Sequence, residues 1–145
     1  MKCRLNPSKL ILEGPHIEIL ISTTRLEFEE GRSIGLEYRE LRVRALIDTG
    51  ASLTVINPQI ASTCKLLQTD WNRITTVGGT AGNYPAYAAA ISFPGTDLSG
   101  FDAMRVVACP IIEQPFFSCL IGRDILRKWY FAYDGPNGEI EIQDR

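Results

Sequence analysis

The sequence holds a single histidine, His16, and its four cysteines (Cys3, Cys64, Cys109 and Cys119) stand far apart with no CxxC pair. That inventory leaves a zinc site short of ligands, so no metal is expected. Scattered cysteines read instead as reduced thiols, two or three of them in the core, and a cytoplasmic location is the expectation. No apolar run approaches the roughly 20 residues of a membrane span. Lysines and arginines form no cluster, which argues against nucleic acid as a partner. The N-terminal stretch MKCRLNPSKLILEGP has one short apolar patch and no convincing cleavage site, so no signal peptide is read there.

What remains is an ordinary globular composition. The 145 residues are 45% hydrophobic and 22% charged, with a net charge of -2. A chain of this length buries roughly 68–70% of its unfolded surface, and a single domain over residues 1–145 is the simplest division. Ile17–Thr23 reads as a strand. The charged stretch from Arg25 to Arg44 suits a hairpin turning at Gly31 and Gly35. In Leu41–Ile47 polar residues alternate with apolar ones and then stop, as in a strand running into a buried place. Asn57-Pro58 opens a short helix with Ile60, Cys64 and Leu67 on one face. Two β-rich runs, Asn72–Val77 and Tyr84–Phe93, flank the glycine-rich tip Gly78-Gly79-Thr80-Ala81-Gly82-Asn83. Ala103–Cys109 is a further strand, Arg123–Trp129 a second short helix, and Tyr130–Tyr133 with Glu139–Gln143 a closing hairpin. The class is mainly β with one or two short helices.

The chemistry concentrates in ALIDTGAS. Asp48 follows an apolar strand directly, and Thr49, Gly50, Ala51 and Ser52 crowd in behind it. An ionised carboxylate at a buried strand end costs several kcal/mol unless compensated. Gly50 allows a tight turn that brings backbone N–H groups towards it. Three readings follow. Asp48 could simply cap a turn. It could be an aspartyl-phosphate nucleophile, but that chemistry asks for a second acid two residues on, where Gly50 stands, and for βαβ alternation, which is missing. Or it could activate water for peptide hydrolysis. This third reading demands a second carboxylate about 3 Å away, the pair sharing one proton. No other aspartate sits in a D-[ST]-G, and Tyr133-Asp134-Gly135-Pro136 reads better as a hairpin turn. The partner would then come from a second copy, because a two-fold axis places the same residue twice beside itself.

A second motif, Leu120-Ile121-Gly122-Arg123-Asp124, is an apolar pair, a glycine and a helix start. LIDTGAS, the glycine-rich hairpin at 77–83 and LIGRDIL occur in the order found in retroviral-type aspartic proteases. Over about Leu41 to Trp129 the chain resembles that retropepsin family. The resemblance implies a closed β-barrel-like retropepsin fold with a flap hairpin, a homodimer, no cofactor, and an extended peptide or protein as substrate. It implies that Asp48 is catalytic, one per subunit, that Thr49 bonds across to the partner loop, and that Gly50 lends its backbone to substrate. Val77, Gly78, Gly79 and Thr80 would form the flap tip. Leu120, Ile121 and Gly122 would support the Asp48 loop, with Arg123 and Asp124 opening the helix beneath it. A phosphate-binding reading of VGGTAG is poor, since neither a lysine nor a helix start follows. Viral members often carry an acid at the position of Ser52 to pair with the arginine, so Arg123 is left without its usual partner. The function expected is a homodimeric aspartic endopeptidase; the competing expectation is a module of the same fold that binds peptides or dimerises without cutting.

Overall fold

The computed structural model describes residues 1–24, 26, 29–30, 39–75, 79, 81–111 and 116–145. The elements run β1 (Lys2–Arg4), α1 (Pro7–Glu13), β2 (His16–Ser22), β3 (Glu40–Ile47), β4 (Val55–Ile56), α2 (Pro58–Thr63), β5 (Leu67–Thr75), β6 (Ala81–Ser92), β7 (Phe101–Ala108), β8 (Cys119–Ile121), α3 (Arg123–Leu126), β9 (Trp129–Asp134) and β10 (Glu139–Asp144). In β2 the β-branched Ile17, Ile19 and Ile21 alternate with Glu18 and Leu20, and all three isoleucines are buried. That period of two is what a strand with one covered face requires. β3 runs from exposed Glu40 to buried Ala45 and Ile47, the passage into the interior that its alternation predicts.

The main sheet closes on itself. Its order is β2-β3-β8-β4-β7-β6, and β6 pairs back onto β2 through Leu20 opposite Ser92, Ile21 opposite Ile91 and Ser22 opposite Ala90. Closure removes the open strand edges that would otherwise invite aggregation. β5 lies on the same edge of β6 as β2 does, further towards the start of the strand, so β5 and β6 project as a hairpin. A second sheet, β1-β10-β9, is antiparallel, with Lys2 opposite Glu141 and Glu139 opposite Asp134. Ile140 and Ile142 of β10, together with Trp129, enter the same apolar core as Ile19, Ile21 and Ile121. All four cysteines are free; Cys64 and Cys119 are buried.

The mainly β expectation and the closed barrel stand as read. Two local readings need correction. The helix α2 stops at Thr63 because Lys65 adopts a φ of 50°, so Leu66 turns into the core while Leu67 opens β5 at 60% exposure. Asn57 is the N-cap residue of α2 with Pro58 opening the helix, as read, and its Oδ1 takes the Ile111 N–H at 2.9 Å. α3 ends at Leu126, and Trp129 belongs to β9, buried against Phe93. In the charged region Leu26, Glu29 and Glu30 are helical, and the turn expected at Gly31 and Gly35 lies outside the described residues. The helix α1 was not anticipated. Asn6 caps it by accepting the Ser8 N–H at 2.9 Å, and Gly14 ends it at a φ of 74°.

Ile21 sits at the seam where β2 meets both β3 and β6, fully buried. Truncating it leaves a cavity at the closure itself. Ile21→Ala is expected to cost about 2–5 kcal/mol, read as a lower denaturant midpoint with an unchanged slope.

Candidate active site

The site is built where β8 slots between β3 and β4. Ala45, Leu46 and Ile47 run parallel to Cys119, Leu120 and Ile121, while Val55 and Ile56 run antiparallel to Leu120 and Cys119. The chain from β3 to β4 must therefore loop over the end of β8, and that loop is Asp48–Thr54. The Asp48 N–H donates to the Ile121 carbonyl at 3.0 Å, which fixes where the loop starts. Asp48 Oδ1 accepts the Gly50 N–H at 2.8 Å and the Ala51 N–H at 3.2 Å. These amides aim the carboxylate, as the glycine in the turn suggested. One expectation changes. Ile47 is buried, but Asp48 itself is half-buried in the single chain, and Thr49, Gly50 and Ser52 are exposed.

Beneath the loop lies a polar tie that crosses the chain. The Thr54 N–H and hydroxyl donate to Asp124 Oδ2 and Oδ1, each at 2.8 Å. The Thr54 hydroxyl in turn accepts the Gly122 N–H at 3.2 Å. Asp124 Oδ1 also receives the Ile125 N–H at 2.9 Å, within the first turn of α3. Asp124 thus ties the end of the Asp48 loop to α3. Gly122 is there because nothing larger fits: a Cβ at that position would collide with the Leu53 carbonyl group. Leu120 and Ile121 lie in register beside Leu46 and Ile47, Leu120 half-buried and Ile121 fully buried. Thr54, fully buried itself, was not singled out from sequence; a threonine in the otherwise apolar run LTVI is the signal that was there.

Arg123 has a partner after all. Its Nη1 donates to the carbonyls of Thr49 at 2.8 Å and Gly50 at 3.0 Å, and its own N–H reaches the Ala51 carbonyl at 2.9 Å. With Ser52 in place of an acid, the guanidinium grips the loop backbone directly. On the other flank, the Ile47 N–H donates to the Pro15 carbonyl at 2.8 Å, and Arg44 Nη2 meets Glu13 Oε2 at 2.6 Å. His16 Nδ1 lies 3.0 Å from the Gly14 carbonyl and Nε2 lies 2.7 Å from Arg44 Nη2. A ring that donates through Nδ1 and accepts through Nε2 satisfies both contacts. The Phe117 ring packs on both His16 and Arg44.

The β5–β6 hairpin projects from the barrel. Gly79 is exposed at its tip with a φ of 79°, a conformation glycine adopts without cost. Val77, Gly78 and Thr80 lie outside the described residues. Tyr87 packs partly against the core, and the Tyr84 phenol is held above its ordinary range by its bond with the Cys109 thiol. Among the described residues no group of His, Cys, Asp and Glu is arranged to hold a metal, and no helix is long and apolar enough to cross a membrane. A shallow groove of about 360 Å³ lined by Thr69, Asp70, Ala88, Ala103, Met104 and Arg105 contains none of the loop residues. Its charged groups, Asp70 and Arg105, pair with each other at 3.0 Å.

A family model described as aspartyl protease matches residues 34–125. No curated protein matches the chain. Among solved structures, the retroviral protease-like domain of Ddi1 from Leishmania major is similar at 17% identity, with 89% of each chain covered and a TM-score of 0.46. A retropepsin-like aspartic protease from Rickettsia conorii is similar at 16% identity, covering 87% of this chain and 89% of that one, with a TM-score of 0.43.

Two outcomes follow from this geometry. Thr54→Val keeps the shape but strips the Gly122 N–H and the Asp124 carboxylate of a partner each. It is expected to cost roughly 2–3 kcal/mol, measured by denaturant unfolding. The second concerns pH. Arg44 holds the Glu13 carboxyl below its ordinary value of 4.5. A carboxyl depressed in the folded state stabilises above its unfolded pKa, and that contribution fades as pH falls through the folded value. Glu13→Gln should therefore melt below the parent at pH 7, and the gap should close as the pH is taken below about 4.5.

Proposed function

This chain belongs to the aspartyl protease family, and from that premise we propose that it is a homodimeric aspartic endopeptidase whose single active site is shared by two copies. The observation that carries the reading is the Asp48 loop. One carboxylate is aimed by two backbone amides and left half-exposed at the end of the barrel beside exposed Thr49 and Gly50, whose carbonyls Arg123 holds from below. A lone carboxylate cannot serve as both base and acid in one step. A second Asp48, brought by a two-fold axis, supplies the other role.

Two carboxyls that close share a proton, because both cannot ionise together. The ionised one takes a proton from a water held between them, and the oxygen of that water attacks the scissile carbonyl carbon. The protonated one delivers its proton to the carbonyl oxygen, giving a neutral tetrahedral diol. The carboxyl that gained the water's proton then passes it to the departing nitrogen as the C–N bond breaks, and a hydroxyl proton returns to the other carboxylate. The products are an acid and an amine, and the pair again holds one proton. Extended peptide pairs with exposed backbone by strand addition. The β5–β6 hairpin, glycine at its tip, is suited to close over it and exclude water.

Asp48→Asn removes the acid–base group without changing size. Peptide cleavage, scored by mass spectrometry on a peptide library, should fall by about 10³-fold or more, with melting unchanged. A variant that keeps full activity rules the assignment out. The parent's specific activity should also rise with enzyme concentration, as a two-chain site requires.

A further inference from the structure

Helix α1 leaves its most apolar side chains in water. Leu10 is buried, but Ile11 is 75% exposed and Leu12 82%. Exposed apolar residues scattered singly are ordinary; two adjacent ones on an ordered helix invite a partner. Their place in the fold is tightly set. Glu13 is tied to Arg44, Gly14 lies against the Leu46 side chain, and Pro15 accepts the Ile47 N–H. α1 is thus pinned alongside the last residues of β3, and Asp48 is the next residue of that strand's chain. Phe116, 58% exposed, stands one residue from Phe117, whose ring packs on His16 at the foot of the same helix.

We propose that the exposed Ile11 and Leu12 of α1 form the apolar centre of the contact with a second copy of this chain. The inference rests on the two-chain reading of Asp48. That reading requires the second copy to approach the end of the barrel where Asp48 lies, and α1 is the exposed apolar element fastened there. Strand β1 already spends one of its two edges on β10 of its own chain. A net charge of only -2 sets up little repulsion between copies. Two side chains are far less than the roughly 800 Å² per partner of a standard interface. They act as the buried anchors that carry most of the affinity, with polar loop residues around them.

The test is the double substitution Ile11→Ser/Leu12→Ser, with Leu67→Ser, another exposed apolar residue, as the control. Association is measured by sedimentation over a range of concentrations, and peptide cleavage alongside. The expected result is a dimer dissociation constant raised at least about tenfold in the double variant and unmoved in the control, with melting of the dilute protein retained. Joining two double-variant chains by a flexible linker should restore cleavage, since the linker replaces lost affinity with proximity. A double variant that associates like the parent overturns the inference and leaves the two-chain reading standing. The same holds if association is unchanged and only the peptide KM rises, which would make α1 a substrate contact. A parent chain that cleaves peptides while strictly monomeric overturns both.

Discussion

Everything at the candidate site hangs on one buried polar tie, the bonds from Thr54 to Asp124 and from Gly122 to Thr54. It joins the end of the Asp48 loop to the start of α3 across a sequence separation of 70 residues. Backbone geometry alone would leave two loops passing near each other at the barrel end. A buried threonine hydroxyl that must find partners, and a carboxylate that offers two oxygens, make the crossing specific, because any other pairing leaves a buried group unsatisfied. The tie works only at close quarters. Gly122 provides that by letting its backbone lie against Leu53 where a side chain would collide.

Around this tie the loop is fixed from three directions. Ile121 receives the Asp48 N–H from within the sheet, Arg123 grips the Thr49 and Gly50 carbonyls from below, and the turn's own amides hold the carboxylate. None of these contacts is strong alone, and the arginine is exposed to solvent, so its grip is weakened by screening. Their value is geometric. A catalytic carboxylate needs to be held within a fraction of an ångström more than it needs added stability.

The parts of this arrangement that depend on near neighbours were legible in sequence. The alternation of Leu41–Ile47 foretold a strand entering the core, and Asp48-Thr49-Gly50 foretold a tight turn around a carboxylate. Gly122 was recognisable because an apolar pair before it and a helix start after it are local facts. Thr54 was not, since its partner lies far along the chain and a threonine beside valine looks like any strand residue. Leu67 was misplaced because Lys65 takes a left-handed conformation that its side chain does not advertise. Helix α1 was missed for a related reason. Leu10-Ile11-Leu12 shows no 3.6-residue periodicity, since only one of the three is covered by its own chain. Asp48 looked buried because the strand before it is, yet that strand ends one residue too soon to take the carboxylate inside.

The pairing of β1 with β10 carries a consequence for how this chain folds. Lys2 lies opposite Glu141, and the Met1 ammonium donates to the Ile142 carbonyl. β1 therefore waits for β10 before it can bond, while the barrel between them is free to close. Contacts of such long separation form late and slow the final step of folding. Until β10 is in place β1 remains an unpaired strand, the kind of segment that chaperones hold and proteases cut.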